Sequence, residues 1–327
     1  MSIGNSLRPA PSHNRAASVL VGLGALGCLA GFVTPAIALA LGATLGMALR
    51  DPLGGRSSSI SNSVLKVSVV GLGFGFPLPA VVETGRSGFL LISIGVTVAL
   101  TLGALLGMWL RVERNTSTLI SGGTAICGGS AIAALAPTIG ADASATGVAM
   151  ATVFLLNGVA LYLFPVVGHL VGLSQEQFGV WAAVAIHDMS SVVGAAAQFG
   201  DRALEVATVL KLTRSLWIVP LVAGVALWRR RSSGEHSGRI AVPWFIGLFV
   251  LASGLRSLLP EVAPAFDLLA AGARRLLVLA LFLVGTGLTR SALRSLGPRP
   301  LLQGVALWII MAVGSLLVVL AFPGLTM

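Results

Sequence analysis

Charged residues are scarce in this chain of 327 residues. Only 10% are Asp, Glu, Lys or Arg, whereas a soluble domain carries roughly 25%, and 56% are hydrophobic. So few charges exclude a water-facing globular exterior, and most of the outer surface is expected to face lipid. The net charge of +10 does not indicate nucleic acid, because the arginines cluster between apolar runs, where they set membrane topology.

Cysteine is equally scarce, with only Cys28 and Cys127. Two apolar cysteines form neither a disulfide framework nor a metal-ligand spacing, so we predict no metal site and no cofactor. The phosphate-loop motif Gly-x-x-x-x-Gly-Lys-[Ser/Thr] is also absent. This argues against ATP hydrolysis as an energy source.

Long apolar runs dominate the remaining sequence, and each candidate membrane span needs roughly 20 residues. Eleven runs qualify: 17–33, 35–50, 63–83, 88–110, 117–140, 145–170, 178–199, 203–228, 240–259, 268–290 and 301–323. They predict an all-α, polytopic transmembrane bundle of ten or eleven spans. The first two runs are short and meet near Pro35, as a tight helical hairpin or a half-membrane pair. Residues 1–16 are predicted to be a disordered cytoplasmic tail, and 17–327 a single transmembrane transporter domain.

Arginines concentrate on one side of this predicted topology, at 50–56, 111–114, 229–231 and 290–299. By the positive-inside rule, that side is cytoplasmic, and the N-terminus lies there too. Arg256, Arg274 and Arg275 depart from the pattern, because they fall near the outer ends of the ninth and tenth spans. Either those boundaries differ or these arginines bind something.

One internal repeat is visible at a shift of 212 residues. It aligns Gly73-Phe74-Gly75-Phe76 with Gly285-Thr286-Gly287-Leu288. The related segments, 63–110 and 275–322, contain spans that run in opposite directions, which is typical of inverted-repeat transporters. The alternative is that glycine-rich apolar helices resemble one another by chance.

A weaker repeat links Ala151-Thr152-Val153 with Ala207-Thr208-Val209. In the eleven-span topology these two spans run parallel. This second repeat is therefore not expected to belong to the inverted one.

The fifth span contains Ser121-Gly122-Gly123-Thr124-Ala125-Ile126-Cys127-Gly128-Gly129-Ser130. Each glycine weakens a helix by roughly 1 kcal/mol relative to alanine. We interpret the segment as a discontinuous helix, whose broken end offers backbone N–H groups to an anion. Its hydroxyl and glycine positions, Thr124, Gly128, Gly129 and Ser130, are candidate substrate ligands. The alternative is close packing of small residues between helices.

The seventh span carries His187 and Asp188, followed by Ser190 and Ser191. The histidine and the two serines share one helical face, whereas Asp188 lies about 100° further round. A histidine and an aspartate inside a membrane are candidate proton carriers. The serines are candidate substrate ligands. The alternative is a structural, hydrogen-bonded histidine.

The eighth span holds Lys211 and Arg214. A charge at the bilayer centre costs at least ~2.5 kcal/mol, and these two cations are neighbours on one helical face. Asp188 can neutralise one of them, and a substrate oxyanion would balance the other. The alternative is a structural Lys–Asp–Arg cluster. Lys66, the only other lysine, is expected to extend to the membrane interface.

Three stretches, at 123–134, 186–195 and 211–220, resemble the signature stretches of the YeiH-like family of bacterial inner-membrane proteins. This resemblance implies about ten helices and a distant relationship to cation/proton antiporters and anion transporters. The family's usual label is export of sulfate or an organosulfonate. Met189 departs from the pattern, which usually has Thr there.

Together these features predict a secondary transporter of the bacterial inner membrane, not an enzyme, that moves a small oxyanion with an ion or proton gradient. The predicted substrate ligands are Lys211, Arg214, Ser190, Ser191, Thr124, Gly128, Gly129 and Ser130. The predicted coupling residues are His187 and Asp188. Its partners are the anion and the bilayer, and a homo-oligomer is left open. The alternatives are an intramembrane enzyme that uses Cys127 or a serine with His187, and a channel or a membrane partner without transport.

Overall fold

The computed structural model describes residues 15–49, 57–233, 243–287 and 297–322. In chain order the α-helices are α1 Arg15–Ala30, α2 Pro35–Leu49, α3 Ser57–Gly73, α4 Leu78–Trp109, α5 Arg114–Ala125, α6 Gly129–Ile139, α7 Ala143–Val171, α8 Gln175–Ala185, α9 Met189–Phe199, α10 Asp201–Ser215, α11 Ile218–Ser233, α12 Trp244–Leu258, α13 Ala263–Thr286 and α14 Pro298–Ala321. The predicted all-α fold is confirmed. Most of the predicted N-terminal tail, residues 1–14, lies outside the described residues.

Five helical segments are long and apolar enough to cross a membrane. They are Leu78–Trp109, Ala143–Val171, Asp201–Leu227, Pro260–Thr286 and Pro298–Ala321. Several shorter apolar helices accompany them, among them α2 and α12. This composition is that of a membrane protein with multiple candidate spans.

The boundary between the third and fourth predicted spans is wrong. The sequence placed a loop near 84–87, but α4 runs unbroken from Leu78 to Trp109. The break lies at 74–77, where Pro77 has an extended backbone and a second proline occupies the first turn of α4. Proline favours a helix start, whereas Glu83 and Arg86 are tolerated on the helix surface.

The helices α1 and α2 form a hairpin, which confirms one of the two predicted alternatives. The turn contains Gly31 with φ +86°. Gly24 of α1 and Gly42 of α2 both pack directly against Phe282 of α13. The two helices therefore fold back on each other beside α13.

The three arginines that broke the charge pattern are held by the chain itself. Arg256 Nη1 lies 2.7 Å from Asp267 Oδ1, and Arg274 Nη1 lies 2.9 Å from Asp201 Oδ1. Arg275 Nη1 donates to a backbone carbonyl at the end of α1. These side chains tie helix ends together.

Helices α3 and α13 run antiparallel, as the first repeat requires. Thr286 Oγ1 lies 3.2 Å from Ser57 Oγ at one end. Further along, a Cβ on Gly71 would lie 2.7 Å from the Cβ of Ala273. The opposite directions agree with the prediction, whereas the repeat itself stays a prediction.

The fifth predicted span is broken as expected, but it also folds back. Gly122 in α5 packs directly against Leu135 in α6. A straight helix would separate two residues thirteen apart by about 20 Å. Helices α5 and α6 therefore form a helical hairpin, hairpin 1 (residues 114–139), rather than a span.

The seventh predicted span behaves in the same way. The rings of Phe178 in α8 and Phe199 in α9 stack with centroids 3.9 Å apart. These residues lie near the start of α8 and at the end of α9. Helices α8 and α9 therefore form hairpin 2 (residues 175–199). The predicted discontinuities are confirmed, and the prediction that these two segments cross the membrane is wrong.

The two hairpins lie end to end along α7, with their tips near its midpoint. The tip of hairpin 1 packs on Val153. The tip of hairpin 2 donates the His187 N–H to Asn157 Oδ1 at 3.1 Å. The base of hairpin 2 lies at the end of α7, where Phe199 stacks on His169 at 4.3 Å. Hairpin 1 leads directly into the start of α7, so the two bases lie at opposite ends of this helix.

Helix α10 runs antiparallel to α7, which differs from the parallel arrangement of the eleven-span topology. It begins at Asp201, beside the base of hairpin 2. It then reaches the hairpin tips, where Lys211 Nζ contacts Ile186 O. The reason is that neither hairpin crosses the membrane.

Candidate functional site

Arg214 joins the tips of the two hairpins. Its side chain is 1% exposed. On hairpin 1, Nε donates to Ala125 O at 2.5 Å and Nη2 donates to Thr124 O at 2.7 Å. On hairpin 2, Nη1 donates to Ala183 O at 3.0 Å and to Val184 O at 2.5 Å. One guanidinium thus bridges the C-terminal ends of α5 and α8.

These contacts complete the hydrogen bonding of the last turn of α5. The last four carbonyls of a helix have no partner within it. Here Gly122 O accepts from Ile126 N at 3.2 Å, and Gly123 O accepts from Gly128 N at 2.8 Å. The other two carbonyls accept from Arg214. A helix end within the membrane is therefore fully satisfied by the chain.

Lys211 holds the end of α8 alone. Its side chain is fully buried, and Nζ donates to Ile186 O at 2.6 Å and more weakly to Ala183 O at 3.4 Å. A helix C-terminus carries roughly −0.5 charge. The two helix ends thus offset about one of the two positive charges, which fills part of the anion vacancy predicted from sequence.

Asp188 begins the second half of hairpin 2. As the N-cap of α9, its Oδ1 accepts from Ser191 N at 2.7 Å, and its Oδ2 accepts from Ser190 Oγ at 2.8 Å. A carboxylate is stabilised at a helix N-terminus by the positive end of the dipole. Neither Lys211 nor Arg214 forms an ion pair with Asp188 in the part of the chain described. The predicted neutralisation comes instead from helix ends.

The hairpins touch at Gly128 and Asp188. Gly128 adopts φ +64°, a region that glycine occupies readily. A Cβ at this position would lie 2.9 Å from the Cβ of Asp188. The glycine is needed both for the turn and for the close approach of the two tips.

Several buried polar atoms at the tips have no hydrogen-bond partner. They are both ring nitrogens of His187, Thr124 Oγ1 and Asn157 Nδ2. Buried polar atoms in native proteins are normally paired, and each unpaired one costs about 1–3 kcal/mol. Their concentration at one place marks the tips as the functional centre of the molecule.

Two adjoining cavities, of 210 Å³ and 150 Å³, reach the tips. The residues that border both are Asn62, Leu65, Cys127, Ser130, Ala133 and Met189. Lys66 and Ser215 border only the larger cavity. Asp188, Gly129 and Ser190 border only the smaller one. The cavities run along α6 and α3 and past the start of α12, on the side of the tips where hairpin 1 has its base.

The cavities separate the predicted site residues into two groups. Ser130, Gly129, Ser190 and Asp188 line them. The residues that do not line the two cavities are Lys211, Arg214, Thr124, Gly128, Ser191 and His187. Direct contact of the two buried cations with an anion stays a prediction, because here their donors hold backbone carbonyls.

Sequence reasoning missed three polar residues of this site. Asn157, in the middle of α7, accepts from the N–H of His187 at 3.1 Å and of Asp188 at 3.4 Å. Asn62 and Lys66 on α3 line the larger cavity. The signal was present, since Asn157 stands alone in an apolar run and Lys66 is one of only two lysines. Among the described ranges, no three His, Cys, Asp or Glu side chains gather to hold a metal ion.

Comparison with known proteins agrees with the sequence motifs. The family model described as conserved hypothetical protein 698 matches residues 16–304. No solved structure matches the chain.

A UPF0324 membrane protein of Bdellovibrio bacteriovorus is 45% identical over 303 residues, covering 92% of this chain and 93% of that protein. One from Shewanella oneidensis is 44% identical over 298 residues, covering 91% and 93%. One from Geobacter sulfurreducens is 46% identical over 285 residues, covering 87% and 90%. The chain therefore belongs to the UPF0324 family of bacterial membrane proteins, which is the YeiH-like family indicated by its motifs.

Proposed function

We propose that this protein is a secondary transporter of a small oxyanion, such as sulfate or a sulfonate, across the bacterial inner membrane. The observation that carries the proposal is the meeting of two helical hairpins, from opposite ends of α7, beside a cavity. Broken helices that meet near the bilayer midplane are typical of secondary transporters. Alternating access then requires only that the cavity open on one side of the tips at a time.

The chemistry at the tips favours an anion. The N-terminal ends of α6 and α9 border the smaller cavity through Gly129 and Ser190. Helix N-termini offer N–H groups and a positive dipole end to anions. Ser130 adds a hydroxyl, and Lys66 adds a cation at the larger cavity. Lys211 and Arg214 act from behind, because they offset the negative ends of α5 and α8.

Asp188 is the favoured proton carrier for coupling. Its carboxylate borders the smaller cavity and accepts hydrogen bonds from Ser190 and Ser191. Protonation would remove a negative charge from the cavity wall and weaken the cap of α9. His187, with both ring nitrogens unpaired, is the second candidate carrier.

The proposed orientation places the cavity mouth at the cytoplasm. Arg111 and Arg299 lie at the end of the molecule where hairpin 1 has its base, near the start of α14. Arginine-rich ends of membrane helices face the cytoplasm. The N-terminus would lie on the same side, and this conformation would be open inward.

An inverted repeat is also part of the proposal, with different boundaries from the one predicted by sequence. Its first unit is hairpin 1 with α7, residues 114–171. Its second unit is hairpin 2 with α10 and α11, residues 175–233. The second sequence repeat, Ala151-Thr152-Val153 with Ala207-Thr208-Val209, falls on the long helix of each unit. Antiparallel units of this kind support two alternating states.

Uptake of radiolabelled sulfate and a small sulfonate into proteoliposomes tests the function. We expect exchange above that of protein-free liposomes, and a loss of roughly tenfold in affinity for Lys66→Gln, since a hydrogen bond to a charged group contributes about 1.5–3 kcal/mol. Thr101→Ala, at an exposed position of α4, is the control for a polar substitution away from the cavities. Absence of exchange with every oxyanion tested would contradict the proposal.

The enzyme alternative is less favoured by the geometry. A cysteine nucleophile needs a base within hydrogen-bond reach. Neither ring nitrogen of His187 has a hydrogen-bond partner, Cys127 included. Cys127→Ala should therefore retain exchange activity.

A further inference from the structure

The C-terminal ends of broken helices are the places where many secondary transporters coordinate sodium. Carbonyl oxygens that lose their helical partners there attract a small cation, because they combine lone pairs with the negative dipole end. In this chain the corresponding carbonyls are Thr124, Ala125, Ala183, Val184 and Ile186. Each of them accepts a hydrogen bond from Lys211 or Arg214.

We propose that the ammonium of Lys211 occupies the position of a monovalent cation, so that the protein works without sodium. It follows that removal of the ammonium turns the carbonyls of Ala183 and Ile186 into a sodium site. The transport half of this inference rests on the proposed function, whereas the binding half does not.

Lys211 is better suited to this role than Arg214. An ammonium is a compact point charge, similar in character to a metal cation, whereas a guanidinium is a planar fork. Lys211 Nζ contacts only the end of α8, with its shortest bond, 2.6 Å, to Ile186 O. Arg214 instead bridges both hairpins, so its removal would separate them rather than vacate one site.

The burial of Lys211 makes the substitution specific. The side chain is fully buried, so bulk water cannot replace the ammonium without a change in structure. Loss of the charge leaves two carbonyl oxygens and a negative helix end unbalanced within the membrane. A small cation that enters from the adjoining cavity would restore the balance.

The test compares Lys211→Met with Lys66→Met in detergent. Thermal unfolding is measured in sodium chloride and in choline chloride at equal ionic strength. We expect the wild type to unfold at the same temperature in both salts. Lys211→Met should unfold at a lower temperature in choline, and sodium should raise its midpoint by several degrees. Lys66→Met, which removes the only other lysine, should respond equally to both salts.

The wild type alone keeps the inference falsifiable if Lys211→Met does not fold. A wild-type midpoint or sulfate exchange rate that depends on sodium would overturn it. A folded Lys211→Met that responds equally to both salts would also overturn it, and Lys211→Gln serves as the milder variant. If no oxyanion is exchanged at all, the proposed function fails, while the unfolding measurements still decide the cation substitution.

Discussion

Gly128 is the residue at which the two hairpins meet. Substitution by alanine would place a Cβ against Asp188 and force a strained φ of +64°. Strain of this kind costs about 1–3 kcal/mol. We predict that Gly128→Ala lowers the thermal midpoint and reduces anion exchange.

The matched control for this prediction is Gly147→Ala. Gly147 lies within α7, and no heavy atom lies within 4 Å of an added Cβ. Alanine in a helix is more stable than glycine by about 0.5–1 kcal/mol. Equal effects of the two substitutions would contradict the close approach at the tips.

Cys127 reports on access to the cavity. Its thiol borders both cavities, whereas Cys28 is fully buried in α1. We predict that a small maleimide modifies Cys127 in native protein and leaves Cys28 unmodified, and that the transported anion slows the reaction. Mass spectrometry of Cys28→Ser and Cys127→Ser variants checks this. Faster modification of Cys28 would contradict the position of the cavity.

At the scale of helices, Arg214 holds the two hairpins together. Its removal leaves carbonyls of both hairpins without their donors. Loss of one side of a buried charge network costs about 3–5 kcal/mol. We predict that Arg214→Met strongly lowers the thermal midpoint, and that Arg214→Lys does not restore it, because lysine lacks the planar fork.

Arg202→Met is the comparison for Arg214. Arg202 is half-exposed and pairs with Glu176 and Glu205. Exposed ion pairs contribute about 0–1 kcal/mol. A similar loss for both variants would argue against the bridging role of Arg214.

Glu113 couples the stability of hairpin 1 to pH. Partial burial raises the pKa of its carboxyl, but together the hydrogen bonds from Thr116 and Asn115 outweigh this and hold the pKa below its usual value. The stabilisation is therefore present above the unfolded pKa of about 4.3 and is lost as pH falls through the folded value. We predict that the difference in midpoint between wild type and Glu113→Gln narrows as pH falls from 6 to about 3.

Glu83→Gln is the control for the pH experiment. Glu83 lies inside α4, at an exposed position, rather than at a helix start. Its variant should not reproduce the narrowing. A difference for Glu113→Gln that stays constant with pH would contradict the capping role.

At the scale of the whole molecule, the sequence predicted the helix breaks but not the hairpins. The glycines around Cys127 and the polar pair His187–Asp188 both mark backbone that cannot continue as a helix. Whether the chain then continues forward or turns back depends on contacts between distant residues, such as Phe178 with Phe199. No local pattern contains that information.

The positive-inside rule could not supply it either. Replacing two spans by two hairpins reverses the sidedness only of α7 and its adjoining loops, residues 140–175. That segment contains no lysine or arginine. All the clustered arginines keep their side in both topologies, so the charge pattern fits each equally well.

Labelling of single cysteines distinguishes the two topologies. In a variant without Cys28 and Cys127, we predict that Ser144→Cys, at an exposed position in the first turn of α7, reacts with an impermeant reagent from the same side as Arg111→Cys. Val171→Cys should react from the opposite side. The eleven-span topology places Ser144 opposite Arg111, so that result would contradict the hairpins.

The bridge made by Arg214 also has a consequence for synthesis. Ala125, at the tip of hairpin 1, precedes its partner Arg214 by 89 residues. At 5–20 residues per second, a ribosome needs about 4–18 s to make the intervening chain. During that interval the end of α5 lacks its cation. Hairpin 1 therefore cannot take its final place in the bilayer until α10 has emerged, which makes insertion of the core a late and concerted step of biogenesis.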